Sequence, residues 1–144
     1  MTAPAKRSTP RAPTTASAAV VTVVPKLGKP WAGGRFAGRL GAYLLIVGPQ
    51  RRDAADWSTA MSWAAELQER SGVYRDWSLP TTGELAHLYG VLPRLFRPEP
   101  YWSCEEQLDL ASDALVIHFG AQSLLSHWGK VHACRAVAVR RVLV

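Results

Sequence analysis

Histidine and cysteine side chains are the natural starting point, because they bind metals and act as nucleophiles. No two histidines have the i, i+4 spacing of a helix-borne zinc site, and no cysteine accompanies them in a finger pattern. The sequence therefore predicts neither a metal site nor a bound cofactor. The residues concerned are His87, His118, His127, His132, Cys104 and Cys134.

The two cysteines also limit the enzyme chemistry that the chain could carry. Two are too few for a disulfide scaffold, so reduced thiols are favoured, while one bond between neighbouring strands stays open. Arg135 is the basic neighbour in sequence that could lower the pKa of a thiol, and no Ser-His-Asp set has a recognisable spacing. We predict that the chain is not an enzyme.

Basic residues concentrate near the start of the chain. Residues 1–52 hold nine Lys or Arg and no acidic residue, whereas residues 53–144 hold eight basic and eleven acidic residues. Residues 1–30 are rich in Pro, Thr, Ala and Ser, which indicates an extended arm. A basic arm favours an acidic partner, either nucleic acid or an acidic protein face, although a merely solvated tail has the same composition. The expected anchor residues are Lys6, Arg7, Arg11, Lys26 and Lys29.

One part of the arm has a different character. Ala18–Val24 is rich in β-branched residues and is followed by Pro25, so it could add as a strand to an open sheet edge. Residues 31–144 have the length and composition of one folded domain. No apolar run approaches the ~20 residues of a membrane-spanning helix, and no secretory signal is recognisable. We expect synthesis in the cytosol and no membrane insertion.

The segment DWSTAMSWAAELQER predicts an amphipathic helix. Asp56 or Ser58 can cap its start, and Gly72 is expected just past its end. Its apolar side comprises Trp57, Met61, Ala64 or Ala65, and Leu67.

The segment DWSLPTTGELAHLY predicts a second helix, from about Thr82 to Tyr89. Pro80 holds the residue before it in an extended conformation, which marks a boundary. Thr81 or Thr82 can then cap the helix, and Glu84 is placed to complete a capping box.

The remaining apolar segments predict strands. WAGGRFAGRLGAYLLIVGP predicts two, the second of which, Tyr43–Val47, ends at Gly48 and Pro49. PYWSCEE, DALVIHFG and RAVAVRRVLV predict three more after the helices. This order indicates an α+β fold in which the last strand returns beside the first. Cys104–Asp113 and Ala121–Cys134 are predicted to be loops between strands.

These segments occur in the order of a known family. GGRFAGRL…AYLLIVGP, W…A…WAAEL, DWSLPTTGEL…LY, F…YWSCEE, FG…Q and RAVAVRRV together resemble the Lcl C-terminal domain family, most closely its phage and prophage branch. The resemblance covers residues 31–144. It implies a C-type-lectin-like α+β fold, with two helices flanking antiparallel strands and, in this chain, a preceding extended arm.

The resemblance also implies structural roles for the residues that carry it. The Tyr43–Val47 strand should pair with the Ala136–Leu143 strand, and Trp102 should face Trp77 from the central sheet. The residues of this structural motif are Trp77, Leu79, Pro80, Glu84, Tyr101, Trp102, Ser103 and Arg140.

Calcium-dependent lectins of this fold bind the ion through Glu-Pro-Asn, Gln-Pro-Asp and Trp-Asn-Asp segments, which supply hard oxygen ligands. Glu99 in RPEPYW lacks the amide partner, and the acidic residues of CEEQLDLASD are expected to solvate a loop. Formylglycine-generating enzymes share the fold class, but their oxidative chemistry needs a cysteine pair, for which Cys104 and Cys134 are the candidates. Binding is therefore expected rather than catalysis.

The resemblance implies a non-enzymatic structural protein of a phage or prophage virion, made in the host cytoplasm. It would display a lectin-like binding domain in a tail, fibre or surface-attachment protein. We expect the arm to anchor it to other virion proteins rather than to nucleic acid, and the domain to bind a host-surface glycan or protein as part of a homo-oligomer. A capsid decoration protein and a bacterial adhesin-like carbohydrate-binding module are the alternatives. The expected binding surface, whose apolar side chains could instead pack inward or against another subunit, comprises Leu108, Asp109, Leu110, Leu124, Leu125, His127 and Trp128.

Overall fold

The computed structural model describes residues 24–120 and 123–144. In chain order its elements are β1 (Pro30–Trp31), β2 (Gly34–Leu40), β3 (Tyr43–Ala55), α1 (Trp57–Ala65), α2 (Thr82–Val91), a 3₁₀ turn (Pro93–Leu95), β4 (Pro100–Glu106), β5 (Asp113–His118), β6 (Leu124–Gly129) and β7 (Cys134–Leu143). The seven strands of these residues form one sheet in the order β1-β2-β3-β7-β4-β5-β6, so the fold is α+β as expected. Of the predicted arm anchors, Lys6, Arg7 and Arg11 lie outside the described residues.

The central strand β7 explains why both faces of the sheet are buried. Its sequence, RAVAVRRV, alternates small and larger apolar residues, and alternate residues of a strand point to opposite faces. The alanines face one side, where they leave room for the large rings of Trp77 and Trp102. The valines face the other side, and both sets of side chains are fully buried.

A hydrophobic core lies on each face. The α1 core contains Ala60 and Ala64 of helix α1, and the α2 core contains Leu85 and Leu88 of helix α2. Each buried tryptophan in the α1 core finds an acceptor for its indole N–H: Trp102 donates to the Ala55 carbonyl at 2.8 Å, and Trp77 donates to a backbone carbonyl at 2.9 Å. The rings are therefore buried without losing a hydrogen bond.

The segment Trp77–Pro80 passes between β7 and β4 and carries the chain from one core to the other. β4 and β7 are paired near their N-terminal ends. Further along, Ser78 exchanges two backbone hydrogen bonds with Val139 of β7, at 3.0 and 2.8 Å. On its other side the Cys104 N–H of β4 donates to the carbonyl of the segment's proline at 2.9 Å. The aromatic residue and the proline before helix α2 thus belong to a crossing through the sheet.

A buried carboxylate, Glu84, ties helix α2 to this crossing. Glu84 is 1% exposed and forms a capping box with Thr81. The Thr81 N–H donates to the Glu84 carboxylate at 2.9 Å, and the Glu84 N–H donates to the Thr81 hydroxyl at 3.1 Å. Arg141 of β7 donates to both carboxylate oxygens at 2.7 Å, and the Tyr43 hydroxyl of β3 donates at 2.5 Å. Arg141 also donates to the Ser78 hydroxyl at 2.7 Å.

These donors keep Glu84 charged in spite of its burial. Burial by itself raises the pKa of the carboxyl, but hydrogen bonds from Arg141, Tyr43 and the Thr81 N–H outweigh it, so the pKa lies below its usual range. The hydrogen bond to Glu84 raises the pKa of Arg141 against the effect of burial. Burial, and then the Glu84 carboxylate, raise the pKa of Tyr43. At neutral pH, Glu84 and Arg141 therefore form a charged ion pair, and the Tyr43 phenol is neutral.

Most predicted elements are confirmed. The predicted pairing of the second strand with the last is present, with Tyr43 opposite Leu143 and Val47 opposite Val139. Asp56 caps helix α1 by accepting the Thr59 N–H at 2.8 Å. Both helices and the three strands predicted after them are formed.

Two predicted boundaries are wrong. Strand β3 does not end at Gly48 and Pro49 but continues to Ala55, because the proline lies at a register shift where its missing N–H costs no ladder bond. Helix α1 ends at Ala65, well before Gly72, since the chain that follows folds around Glu69 instead.

Two features of the predicted sheet are also corrected. The strands are not all antiparallel, because β4 runs parallel to β7 after the chain has crossed the sheet. The predicted loop Ala121–Cys134 contains strand β6, which pairs with β5 from Asp113 opposite Gly129 to His118 opposite Leu124. The short run LLSHWG lacks a clear alternation of polar and apolar residues, so its strand character depends on the partner.

The Glu84→Gln variant should lose about 2–3 kcal/mol of unfolding free energy, because it leaves the Arg141 guanidinium without its counter-charge. The expected loss is below that of a fully buried ion pair, since the Arg141 side chain is one-third exposed. Urea unfolding at pH 7 measures it.

Glu66→Gln is the matched control for Glu84→Gln, because Glu66 is exposed at the end of helix α1. This control should change the unfolding free energy by no more than about 0.5 kcal/mol. Equal values for the two variants would contradict a central role for Glu84.

Candidate binding groove

An open groove of about 620 Å³ lies beside the β1–β2 turn. Its volume is in the range of small-molecule sites. Two aromatic residues, Trp31 and Tyr74, line it together with the exposed side chains of Arg35 and Arg70. The complete lining is Pro30, Trp31, Ala32, Gly33, Gly34, Arg35, Pro49, Glu69, Arg70, Ser71 and Tyr74.

The floor of the groove is held by Arg140 of β7. Its guanidinium lies 4.4 Å from the centre of the Tyr74 ring and 5.8 Å from that of Trp77, both within range of a cation–π interaction. Its Nη1 donates to the Ala32 carbonyl at 2.8 Å, and its Nε donates to the Asp76 carboxylate. One side chain therefore joins the β1–β2 turn to the loop that carries Tyr74.

The β1–β2 turn sits directly on the Tyr74 ring. Gly33 has a φ of +92°, and a Cβ at this position would lie 2.7 Å from Tyr74 Cδ2, closer than any stable contact. The preceding Ala32 also has a left-handed backbone, with a φ of +53°, which is rare for a residue other than glycine. Strained backbone of this kind is often retained at functional sites.

The opposite wall of the groove is folded around Glu69. Its carboxylate accepts from the Ser71 hydroxyl at 2.6 and 2.7 Å, and from the N–H groups of Ser71, Val73 and Tyr74 at 2.8 to 3.0 Å. The hydrogen bond from the Ser71 hydroxyl, followed by that from the Tyr74 N–H, lowers the pKa of Glu69 to about 2. The carboxylate is thus engaged in holding the loop.

The groove consequently offers a ligand more hydrogen-bond donors than acceptors. Arg35 and Arg70 present charged donors at the rim, whereas the Glu69 oxygens and the donors of Ser71 are already engaged within the loop. Trp31 and Tyr74 add flat apolar surface. This combination suits a polar ligand that carries an anionic group next to an apolar face.

The predicted binding surface is divided between two places. Leu108, Asp109 and Leu110 are exposed in the β4–β5 turn, with Leu108 96% exposed. Leu124 and Leu125 are exposed at the far end of the β5–β6 hairpin. The ends of this hairpin are about 16 Å apart, as expected for a strand of this length. The structure therefore does not bring the predicted residues together as one patch.

The other two members of that surface have local partners. His127 Nδ1 lies 2.7 Å from the Asp113 carboxylate. Trp128 is half-buried against the α1 core, with its ring 5.8 Å from that of His132. Trp128 therefore has a packing role, and His127 remains accessible at the surface.

The residues of the structural motif lie inside the domain. Seven of the eight are buried in the two cores or between them, and Ser103 donates to the Leu115 carbonyl at 2.8 Å. Arg140, the eighth, lies beneath the groove. The groove itself was missed by sequence reasoning, although the Gly33-Gly34 pair and the Glu69-x-Ser71 turn were available as signals of a tight turn and a folded loop.

The two cysteines are both free. Arg135 lies beside Tyr101 in the parallel pair, which places Cys134 about 13 Å along the strands from Cys104, beyond disulfide reach. Burial raises the pKa of the Cys134 thiol to about 12, and burial followed by the charge of Glu105 raises that of Cys104. Both thiols stay protonated at neutral pH.

Within residues 24–120 and 123–144, no group of three or more His, Cys, Asp or Glu side chains is arranged to hold a metal ion. Neither helix described there has the length and apolar character to cross a bilayer.

No protein-family model matches the chain, and no curated protein shows significant similarity to it.

The Gly33→Ala variant should be destabilised by about 2–4 kcal/mol, because a methyl group must enter the space of the Tyr74 ring at a left-handed φ. Gly41→Ala is its matched control, since Gly41 also has a positive φ but a Cβ there meets no atom within 4 Å. The control should lose about 1 kcal/mol in the same denaturant titration. Equal losses would show that the turn does not rest on Tyr74.

Stability should fall as the pH is lowered from about 5 to about 2, partly through Glu69. The unfolded carboxyl takes up a proton near pH 4.3, whereas the folded one keeps its charge to about pH 2. Between these values the unfolded state binds more protons, so acid favours unfolding. Glu69→Gln should make the fall in unfolding free energy shallower, and exposed Glu66→Gln should leave it unchanged. If the unfolding free energy of Glu69→Gln falls with pH as steeply as that of the wild type, Glu69 does not contribute to the acid sensitivity.

Proposed function

We propose that this chain is a non-enzymatic structural protein of a phage or prophage virion, whose C-type-lectin-like domain binds a ligand on the host surface. The observation that carries the proposal is the groove between the β1–β2 turn and the Glu69 loop. It combines aromatic surface from Trp31 and Tyr74, donors from Arg35 and Arg70, and a rigid floor on Arg140. A rigid scaffold with exposed loop residues is the usual setting of a binding site.

The lectin-like part of the proposal is supported by the resemblance and by the positions of the residues that carry it. Trp77, Leu79 and Trp102 meet in one core, and strand β3 pairs with the last strand, β7. Two helices pack on opposite faces of the sheet. These features support the resemblance over residues 31–144, and the virion assignment follows from the phage branch of that family.

The non-enzymatic part is supported by the state of the two thiols. The cysteine chemistry considered for this fold class needs a reactive thiolate or a cysteine pair. Cys104 and Cys134 are too far apart to pair, and burial keeps both in the protonated form. The observed positions of these side chains favour packing roles.

The groove favours a host-surface glycan that carries carboxylate or phosphate groups. Sugar rings have apolar faces that stack on aromatic side chains, and Arg70 provides the charged donor for an anion. A neutral glycan would use the aromatic surface but not the charge. The electrostatic part of the interaction should therefore weaken as salt increases.

A capsid decoration protein without host recognition is the second candidate. It is favoured by the exposed leucines of β6, which suit attachment to another protein better than binding of a polar glycan. This function would leave the groove without a ligand. The two candidates therefore differ in which surface is essential.

Adsorption of the labelled full-length protein to host cells tests the proposal. Arg70→Glu should weaken adsorption about tenfold or more, because it replaces a charged donor at the groove by a repelling carboxylate. Arg94→Glu makes the same charge change on the exposed 3₁₀ turn at the other face, and it should adsorb like the wild type.

Particles that lack the protein provide the competing measurement. Tight binding to such particles without adsorption to cells would support the decoration protein and overturn host recognition. Adsorption that is equal in Arg70→Glu and the wild type would instead reject the groove as the binding site.

A further inference from the structure

Strand β6 is an open edge of the sheet. Among the described residues, no strand pairs with its outer side. Natural edge strands usually carry lysine, proline or a bulge that prevents further pairing. β6 has the sequence LLSHWG and pairs with β5 without a register shift, so it has none of these features. It is therefore open to the addition of another strand.

Each face of this edge carries one exposed leucine. Leu124 and Leu125 are 57% and 62% exposed, and as neighbours in a strand they point to opposite faces of the sheet. An amphipathic strand would cover one leucine and place polar side chains beside the other. A strand without a polar face fits this edge better.

The segment Ala18–Val24 of the arm has this character. Its sequence, AAVVTVV, is uncharged, and five of its seven residues are β-branched. Its seven residues are enough to pair along the six residues of β6. Pro25 follows and ends the strand, because proline has no backbone N–H to donate. The segment lies outside the described residues apart from Val24.

The arm leaves the domain at the opposite edge of the sheet. The Gly28 N–H donates to the Phe36 carbonyl at 2.8 Å, and the Phe36 N–H donates to the Lys29 carbonyl at 3.0 Å. Arg35 of β2 donates to the Gly28 carbonyl at 2.9 Å. These bonds fix the start of the domain beside β2, and Lys26 and Lys29 remain exposed there.

Distance prevents the segment from reaching β6 of its own domain. Six steps separate β1 from β6 in the sheet, a span of about 29 Å at the usual strand spacing. Val24 is four residues from Gly28, so it lies within about 14 Å of it even when the chain is fully extended. A strand formed by Ala18–Val24 can therefore reach β6 only in another copy.

We propose that Ala18–Val24 of one copy adds as an outer strand to β6 of the next copy. This inference rests on the proposed function only in taking the arm as an anchor, and it identifies the partner as a second copy of the chain. Each copy donates a strand at one edge and accepts one at the other. Such a head-to-tail contact builds rings or filaments, and two copies that exchange arms reciprocally form the smallest closed assembly.

The test measures self-association of the full-length protein by sedimentation at several concentrations. Thr22→Pro removes a backbone donor from the donated strand, and Leu125→Lys places a charge on the accepting edge. Each variant should associate at least about tenfold more weakly than the wild type. Thr15→Pro and Leu143→Lys are the matched controls, since residue 15 precedes the segment and Leu143 is exposed at the end of β7. Both controls should associate like the wild type.

Mixing the two deficient variants gives the decisive result. Leu125→Lys keeps a normal arm and Thr22→Pro keeps a normal edge, so an equimolar mixture should form one-to-one complexes and no larger species. A mixture that stays monomeric overturns the proposal. Self-association that survives Thr22→Pro but is lost in Leu125→Lys overturns it in favour of direct β6–β6 pairing. The self-association measurements contain no host cells, so a negative result leaves the proposed host recognition unaffected. Failed adsorption to host cells likewise leaves the proposed strand addition unaffected.

Discussion

The ion pair between Glu84 and Arg141 is the contact on which the rest of the domain depends. It joins the first turn of helix α2 to the central strand, and through Tyr43 and Ser78 it reaches strand β3 and the crossing segment. A carboxylate this deeply buried is tolerated because each oxygen has donors and the charge is matched. The pair holds in place the point at which the chain changes from one face of the sheet to the other.

The two adjacent arginines of β7 point to opposite faces of the sheet and have different partners there. Arg141 points to the α2 side and binds Glu84, whereas Arg140 points to the α1 side and lies against Tyr74 and Trp77. Strand alternation makes this division unavoidable. The same strand therefore stabilises the helix on one face and supports the floor of the groove on the other. It links the groove to the most buried part of the domain.

The two surfaces for which functions are proposed lie at opposite edges of the sheet. The groove is formed by the β1–β2 turn and the Glu69 loop, and the edge proposed to accept a strand is β6. A ligand in the groove and a strand on β6 therefore do not compete for space. This separation suits a subunit that must be held in an assembly while it exposes a binding site.

The elements whose signals are local could be predicted from the amino-acid sequence. The capping box of Thr81 and Glu84, the alternation of RAVAVRRV and the α+β order of segments depend on neighbouring residues, and these predictions are confirmed. Features that depend on partners distant in sequence arise only in the folded chain: the extension of β3 past Pro49, the strand β6 and the groove over Tyr74. A strand exists only where another strand pairs with it, and a groove only where two loops meet. No local pattern contains that information.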